Sequence, residues 1–127
     1  MNQLIIVTSK KYEKNKSYIS LLNYLKKNNV SHKVIYASLI DYKLSYRGFN
    51  LIISFGGDGT ALRAMHLAWL NKLPVLNIGL GRIGYLVNNL HEDEFSKISN
   101  ISSFQYSFRK PLIQNTNNRR PAFNEIV

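Results

Sequence analysis

The residues best suited to chemistry lie at positions 55–60, where a short apolar run meets the start of a helical pattern. The segment reads Phe-Gly-Gly-Asp-Gly-Thr, so three glycines surround the carboxylate of Asp58. Glycine lets the backbone adopt positive φ and approach a ligand closely. Backbone N–H groups in such a turn bind anions, and the positive end of the following helix strengthens that binding. The segment therefore predicts a phosphate-binding turn.

Asp58 sets this turn apart from a simple phosphate-binding loop. A carboxylate repels a bound phosphate unless a metal ion or a reacting proton takes part. We therefore expect Asp58 to take part in chemistry. The alternative is that Asp58 only caps the helix. A cap needs one aspartate and does not need three glycines, so the first interpretation is favoured.

Alternating strand and helix patterns surround the turn. Apolar runs predict four strands, at residues 4–8, 32–36, 51–55 and 75–78, and helical patterns cover residues 17–28 and 61–70. Residues 39, 40 and 42 are expected to cover the sheet edge. This alternation predicts an α/β fold with a doubly wound parallel sheet. Ligands of such sheets bind beyond the carboxyl ends of the strands, which is where the turn would lie.

A second glycine-dense segment, residues 77–85, would lie at the same edge of the sheet. Residues 79–84 match G-x-G-x-x-G, but no amphipathic helix follows and no acidic residue occurs about 20 positions later. An ordinary Rossmann pyrophosphate site is therefore disfavoured. A ligand-facing loop that carries Arg82 and Tyr85 fits the sequence better.

The pattern changes after residue 89, and residues 92–98 predict a short helix with acidic residues in its first turn. Phe104, Tyr106 and Phe108 alternate with polar residues, as in a half-buried strand, and another apolar run begins at Ala122. We therefore predict an α/β domain at residues 1–100 and the start of a β-rich domain at residues 101–127. The last run stops without a partner strand after it, so this second domain is expected to be incomplete.

The composition favours anionic partners, because 17 Lys and Arg against 7 Asp and Glu give a net charge of +10. An alternative is that six lysines, at positions 10, 11, 14, 16, 26 and 27, simply solvate the exposed face of one helix. No cysteine is present, which excludes disulfides and thiolate metal sites. The three histidines lack metal-ligand spacing. No residue is therefore predicted as a metal ligand.

Neither a membrane span nor a signal peptide is expected. No apolar run approaches the roughly 18 residues that a span needs, and the first residues resemble a strand. We therefore expect a cytoplasmic location. Nucleic-acid binding is disfavoured, because the aromatic residues alternate as core residues and do not interleave with lysines as stacking platforms would.

Residues 56–60, residues 77–86 and the pair Asn124–Glu125 occur in the order and approximate spacing of NAD kinases, and the chain resembles that family over nearly its whole length. The first motif is shared with diacylglycerol and sphingosine kinases and, more loosely, with phosphofructokinases. The second motif is more specific. The resemblance implies an N-terminal NAD kinase domain followed by the first strands of a β-rich domain that supplies much of the NAD site.

The resemblance also implies roles for individual residues. The reaction would transfer a phosphoryl group from ATP or polyphosphate, with Mg²⁺ or another divalent cation, to the 2′-hydroxyl of the NAD adenosine ribose, giving NADP. Asp58 would activate or orient that hydroxyl. The donor phosphates would be bound by Gly56, Gly57, Gly59 and Thr60, and the NAD nucleotide by Tyr85, Asn124 and Glu125. Apart from the resemblance, Arg63 lies one turn into the helix, where it is expected either to neutralise phosphate or to be a surface cation. A homo-oligomer is implied when the C-terminal domain is present.

Two alternatives to an NAD kinase stay open at the level of the sequence. A lipid kinase of the diacylglycerol type shares the Gly-Gly-Asp-Gly-Thr motif, and the positive charge suits an anionic membrane. A non-catalytic nucleotide-binding fragment would keep the turn without turnover. Residues 77–86 and Asn124–Glu125 argue against the lipid kinase. Tight binding of NAD or ATP without turnover would identify the fragment.

Overall fold

The fold is taken from a computed structural model, which describes residues 3–79 and two short strands at residues 112–113 and 121–122. In chain order the elements are β1 (Gln3–Thr8), α1 (Lys16–Lys27), β2 (Ser31–Tyr36), β3 (Leu51–Phe55), α2 (Asp58–Asn71), β4 (Val75–Ile78), β5 (Leu112–Ile113) and β6 (Pro121–Ala122). Two 3₁₀ turns follow β1 and β2, at Lys10–Tyr12 and Ala37–Leu39.

The first four strands form one parallel sheet in the order β2-β1-β3-β4. The chain leaves β1 for β2 on one side and then returns to place β3 on the other side of β1. The strand order therefore reverses between β1 and β3, and open α/β sheets bind ligands at such a switch point. Strands β5 and β6 pair with each other antiparallel.

The two helices cover opposite faces of this sheet. Leu4 and Ile6 of β1 pack in one buried cluster with Leu21 and Leu25 of α1. The intervening residues of β1 point to the other face and share a second cluster with α2; its members include Ile5, Val7, Ala64 and Leu67. Burial on both faces explains the unbroken apolar runs of the central strands. The predicted α/β fold with a doubly wound parallel sheet is confirmed.

Both helices begin at the carboxyl edge of the sheet. Helix α1 is capped by Asn15, whose side chain accepts a 3.1 Å hydrogen bond from the backbone N–H of Tyr18. Helix α2 begins at Asp58 with Gly57 as its N-cap, three residues earlier than the apolar pattern predicted. The reason is that Ala61 N–H already donates to the Gly57 carbonyl at 3.0 Å, so residues 58–60 form the first turn.

Two other expectations are corrected. The six lysines expected on the exposed face of one helix do not share a helix. Lys10, Lys11 and Lys14 precede α1, and only the other three belong to it. Leu39 is 73% exposed and does not cover the sheet, whereas residues 40 and 42 pack against the cluster beneath α2.

The elements predicted between residues 92 and 109 and the domain boundary at residue 100 lie outside the described residues. Within the described residues, no helix is both long and apolar enough to cross a membrane.

Candidate functional site

The candidate site lies at the switch point, where β1 and β3 end side by side. The hydroxyl of Thr8 donates a 2.9 Å hydrogen bond to the carbonyl of Phe55, and both residues are buried. This bond joins the last residues of the two strands. It therefore fixes the relative position of the two segments that follow, residues 9–15 after β1 and residues 56–57 after β3.

Gly56 occupies a position that has no room for a side chain. A Cβ atom there would lie 2.9 Å from Thr60 Oγ1 and 3.2 Å from Tyr12 Cε2. Its backbone N–H donates to the Ile78 carbonyl at 3.1 Å, which ties the turn to the end of β4. The φ of +158° is close to extended backbone, so close packing is what requires glycine here.

Gly57 and Gly59 serve a different purpose. A Cβ atom at either position would meet nothing within 4 Å. Gly57 has a φ of −99°, and among the described glycines only Gly48 and Gly56 have positive φ. Of the three glycines of the turn, only Gly56 therefore has a positive φ. The other two leave open space over the backbone, as close approach by a ligand requires.

Asp58 is the first residue of α2 and is half-buried. The N-cap is Gly57, which makes no side-chain capping bond, so the alternative that Asp58 is the cap is wrong. N–H groups in the first turn of a helix have no intrahelical acceptor and carry the positive end of the helix dipole. Asp58 therefore lies at the positive end of the α2 dipole, and anion binding there stays a prediction.

Thr60 and Arg63 flank this terminus. Thr60 belongs to the first turn, where its side chain fills the space beside Gly56. Arg63 is exposed. It shares one face of α2 with Gly59, because residues four apart on a helix are neighbours.

Two buried polar residues at this edge were missed by sequence reasoning. Ser54 donates a 2.6 Å hydrogen bond to Oδ1 of Asn77, and the two residues are paired in the register of β3 and β4. A polar residue one position before the end of each apolar strand was the available signal. Tyr85, Asn124 and Glu125 lie outside the described residues, so their predicted roles stay predictions.

The segment after β1 was also missed. The ring of Tyr12 contacts the Gly56 turn, and the ammonium of Lys11 lies 5.1 Å from the centre of that ring. The signal was topological: a segment that follows β1 must emerge at the same edge as the segment that follows β3.

The described residues hold no group of three or more His, Cys, Asp and Glu side chains suited to a metal ion. His66 stacks on Tyr42 with ring centres 4.1 Å apart, and Nδ1 of His32 lies 3.1 Å from the Val30 carbonyl. His32 in β2 and His66 in α2 therefore each have a contact within the fold. His91 lies outside the described residues. A divalent cation at the candidate site would need ligands from a bound phosphate.

Comparison with known proteins agrees with this geometry. The family model for the ATP-NAD kinase N-terminal domain matches residues 5–103. An NAD kinase of Methanothermobacter thermautotrophicus is 32% identical over 81 residues, which cover 61% of this chain and 29% of the relative. An NAD kinase of Caldicellulosiruptor bescii is 38% identical over 60 residues, covering 47% of this chain and 23% of the relative.

A third relative, an NAD kinase of Mycolicibacterium paratuberculosis, is 54% identical over 43 residues, covering 34% of this chain and 14% of the relative. The chain thus spans less than a third of the length of these curated relatives. The family model, by contrast, matches most of the chain and includes all of the four-stranded sheet except residues 3 and 4 of β1. The chain therefore belongs to the ATP-NAD kinase N-terminal domain family.

Proposed function

We propose that this chain provides the phosphate-binding part of an NAD kinase, which phosphorylates the 2′-hydroxyl of the NAD adenosine ribose to give NADP. One observation carries the proposal. Asp58 opens α2 at the switch point, between two glycines that leave open space over the backbone. Membership of the NAD kinase family directs this geometry toward NAD as the acceptor.

The donor, ATP or polyphosphate, would place its phosphates over Gly57 and Gly59. A side chain at either position would occupy the space that these phosphates need. The N–H groups of the first turn of α2 would face the phosphate oxygens, and Arg63 would add positive charge from the same helix face. Phosphoryl transfer depends mainly on positioning and on neutralising charge over the moving group.

Asp58 would act on the acceptor hydroxyl. A carboxylate at this place accepts a hydrogen bond from the hydroxyl and orients its oxygen toward the terminal phosphorus of the donor. As the new O–P bond forms, the carboxylate receives the hydroxyl proton, and the bond from that phosphorus to the donor breaks and releases ADP or a polyphosphate shorter by one phosphate. A positioned general base of this kind contributes about 10²–10⁴-fold to the rate. Adenosine contacts by Tyr85, Asn124 and Glu125 belong to the same proposal and rest on their places in the family pattern.

Mg²⁺ fits this site as a cation that arrives with the phosphoryl donor. Mg²⁺ is commonly held by one or two carboxylates together with substrate phosphates and water. Asp58 is the carboxylate of the described site, and the remaining ligands would be phosphate oxygens and water. When bound, the ion would neutralise negative charge on the donor.

The test is NADP formation by the full-length protein with NAD, Mg²⁺ and ATP or polyphosphate. We expect turnover in the wild type and a loss of about 10²–10⁴-fold in Asp58→Asn. Asp41→Asn is the matched control, since it makes the same charge change at an exposed turn and keeps the Oδ1 atom that accepts from Lys43 N–H.

Three outcomes would contradict the proposal. The first is equal activity of Asp58→Asn and the wild type. The second is phosphorylation of diacylglycerol without activity toward NAD, which would indicate the lipid kinase. The third is tight binding of NAD or ATP with no turnover in fresh Mg²⁺, which would indicate a non-catalytic nucleotide-binding protein.

A further inference from the structure

We propose that residues 9–15 form a second wall of the phosphate site, in which Lys11 binds the phosphate chain of the donor and Tyr12 positions Lys11. This proposal rests on the proposed function, because it concerns the same site. It differs from the sequence interpretation, in which Lys11 belonged to the solvated face of a helix.

The topology places this segment at the site. The switch point lies between β1 and β3, so its crevice is bordered by the segment that follows each of those strands. Gly56 and Gly57 follow β3, and residues 9–15 follow β1. A ligand that lies over the N-terminus of α2 therefore has the Lys10–Tyr12 turn on its other side.

Direct packing joins the two segments. The Cε2 atom of Tyr12 lies 3.2 Å from the position that a Cβ atom of Gly56 would take. Tyr12 is half-buried. The absence of a side chain at Gly56 thus serves the approach of Tyr12 as well as that of Thr60, which explains why this position in particular must be glycine.

Tyr12 also holds Lys11. The Lys11 Nζ atom lies 5.1 Å from the centre of the Tyr12 ring, within the range of a cation–π contact. The contact restricts the rotamers of a flexible side chain and holds the ammonium next to a ring that itself lies against Gly56. An ammonium at such a place is a point charge that binds phosphate oxygens.

The backbone of the segment is held in one conformation. Tyr12 N–H donates to the Ser9 carbonyl at 3.0 Å, and Asn15 N–H donates to the Tyr12 carbonyl at 2.9 Å. Asn15 then caps α1. The carboxylate of Glu13 accepts a hydrogen bond from the hydroxyl of Tyr36, the last residue of β2. Glu13 is thereby held toward β2.

The experiment measures binding of two probes, ATP and inorganic tripolyphosphate, to the full-length protein by calorimetry. Lys11→Ala should weaken both by about 10–100-fold, the effect of losing one charge-assisted hydrogen bond. It should leave NAD affinity unchanged. Lys27→Ala is the matched control, because it removes the same charge at the last residue of α1, whereas Lys11 lies before the first. It should not change tripolyphosphate binding.

Tyr12 is tested as a positioning residue. Tyr12→Phe keeps the ring and should keep the affinity, whereas Tyr12→Leu should weaken tripolyphosphate binding as Lys11→Ala does. In turnover assays Lys11→Ala should raise the KM for ATP and leave the KM for NAD unchanged. Both variants can be compared with the wild type in thermal unfolding, which should not change for the exposed Lys11.

Two results would overturn the proposal: equal tripolyphosphate binding by Lys11→Ala and Lys27→Ala, or no binding of either probe by the wild type. The proposed function fails separately, if the wild type binds ATP but makes no NADP. In that case the comparison of Lys11→Ala with Lys27→Ala still decides whether Lys11 belongs to the phosphate site.

Discussion

Ser54 of β3 donates a 2.6 Å hydrogen bond to Oδ1 of Asn77 in β4, and both side chains are buried at the carboxyl edge of the sheet. The bond lies one residue before the end of β3 and of β4, so it connects the bases of the two glycine-dense segments. The 3.1 Å bond from Gly56 N–H to the Ile78 carbonyl follows directly. Together these bonds hold the start of the second segment in register with the turn at Gly56 and Gly57.

We expect Ser54→Ala to lower the free energy of unfolding by about 1–3 kcal/mol, because Oδ1 of Asn77 would be left buried without its donor. Denaturant unfolding of the full-length protein measures this loss. In a double-mutant cycle, Ser54→Ala and Asn77→Ala together should cost less than the sum of the two single changes, by at least about 0.5 kcal/mol. Additive losses would show that the bond does not couple the two strands.

Gly59→Ala should separate stability from binding. Gly59 lies in the first turn of α2 and a Cβ atom there meets nothing within 4 Å, so alanine should raise the free energy of unfolding by about 0.4–1 kcal/mol. The same methyl group would enter the space proposed for the donor phosphates. We therefore expect weaker ATP binding by calorimetry in a more stable protein. Unchanged affinity for ATP would argue that the phosphates lie elsewhere.

Gly56→Ala should have the opposite effect on stability. Its Cβ atom would lie 2.9 Å from Thr60 Oγ1 and 3.2 Å from Tyr12 Cε2, so the first turn of α2 or the Lys10–Tyr12 turn must move. Overpacking of this kind costs about 1–3 kcal/mol. Thermal unfolding beside Gly57→Ala, whose methyl group meets open space, provides the comparison. Equal melting temperatures for the two variants would contradict the packing.

Tyr18 should contribute to unfolding at alkaline pH. Burial of the Tyr18 side chain between α1 and the sheet, and to a lesser extent the nearby charge of Glu13, raise the pKa of Tyr18 above its ordinary value of about 10. The folded state therefore favours the neutral phenol. This contribution to stability is fully present below about pH 10 and is lost as the pH rises through the raised pKa.

The Tyr18→Phe variant tests this dependence, since phenylalanine keeps the ring that packs 5.4 Å from the ring of Phe55. Above about pH 10, the free energy of unfolding should fall less steeply with pH in the variant than in the wild type. Denaturant unfolding at a series of alkaline pH values measures the two slopes. Identical slopes would show that Tyr18 titrates alike in the folded and unfolded chains.

The sequence alone determined the α/β alternation, the apolar core strands and the glycine-rich turn around Asp58. These features are local. A strand buried on both faces must be apolar at every position, and a turn that lets a ligand approach the backbone needs glycine. Each feature can therefore be recognised within a few consecutive residues. The family pattern also depends on motif order along the chain, which is readable without coordinates.

The tertiary structure decided which residues share the site. Thr8 and Phe55 are joined although they are 47 positions apart, and Ser54 meets Asn77 across 23 positions. Tyr12 reaches Gly56 only because β1 and β3 are neighbours in the sheet. No local periodicity encodes strand order, since that order follows from packing both helices on opposite faces of one sheet. For the same reason the sequence placed Lys11 on a helix face, whereas the structure places it in the turn after β1, against the ring of Tyr12.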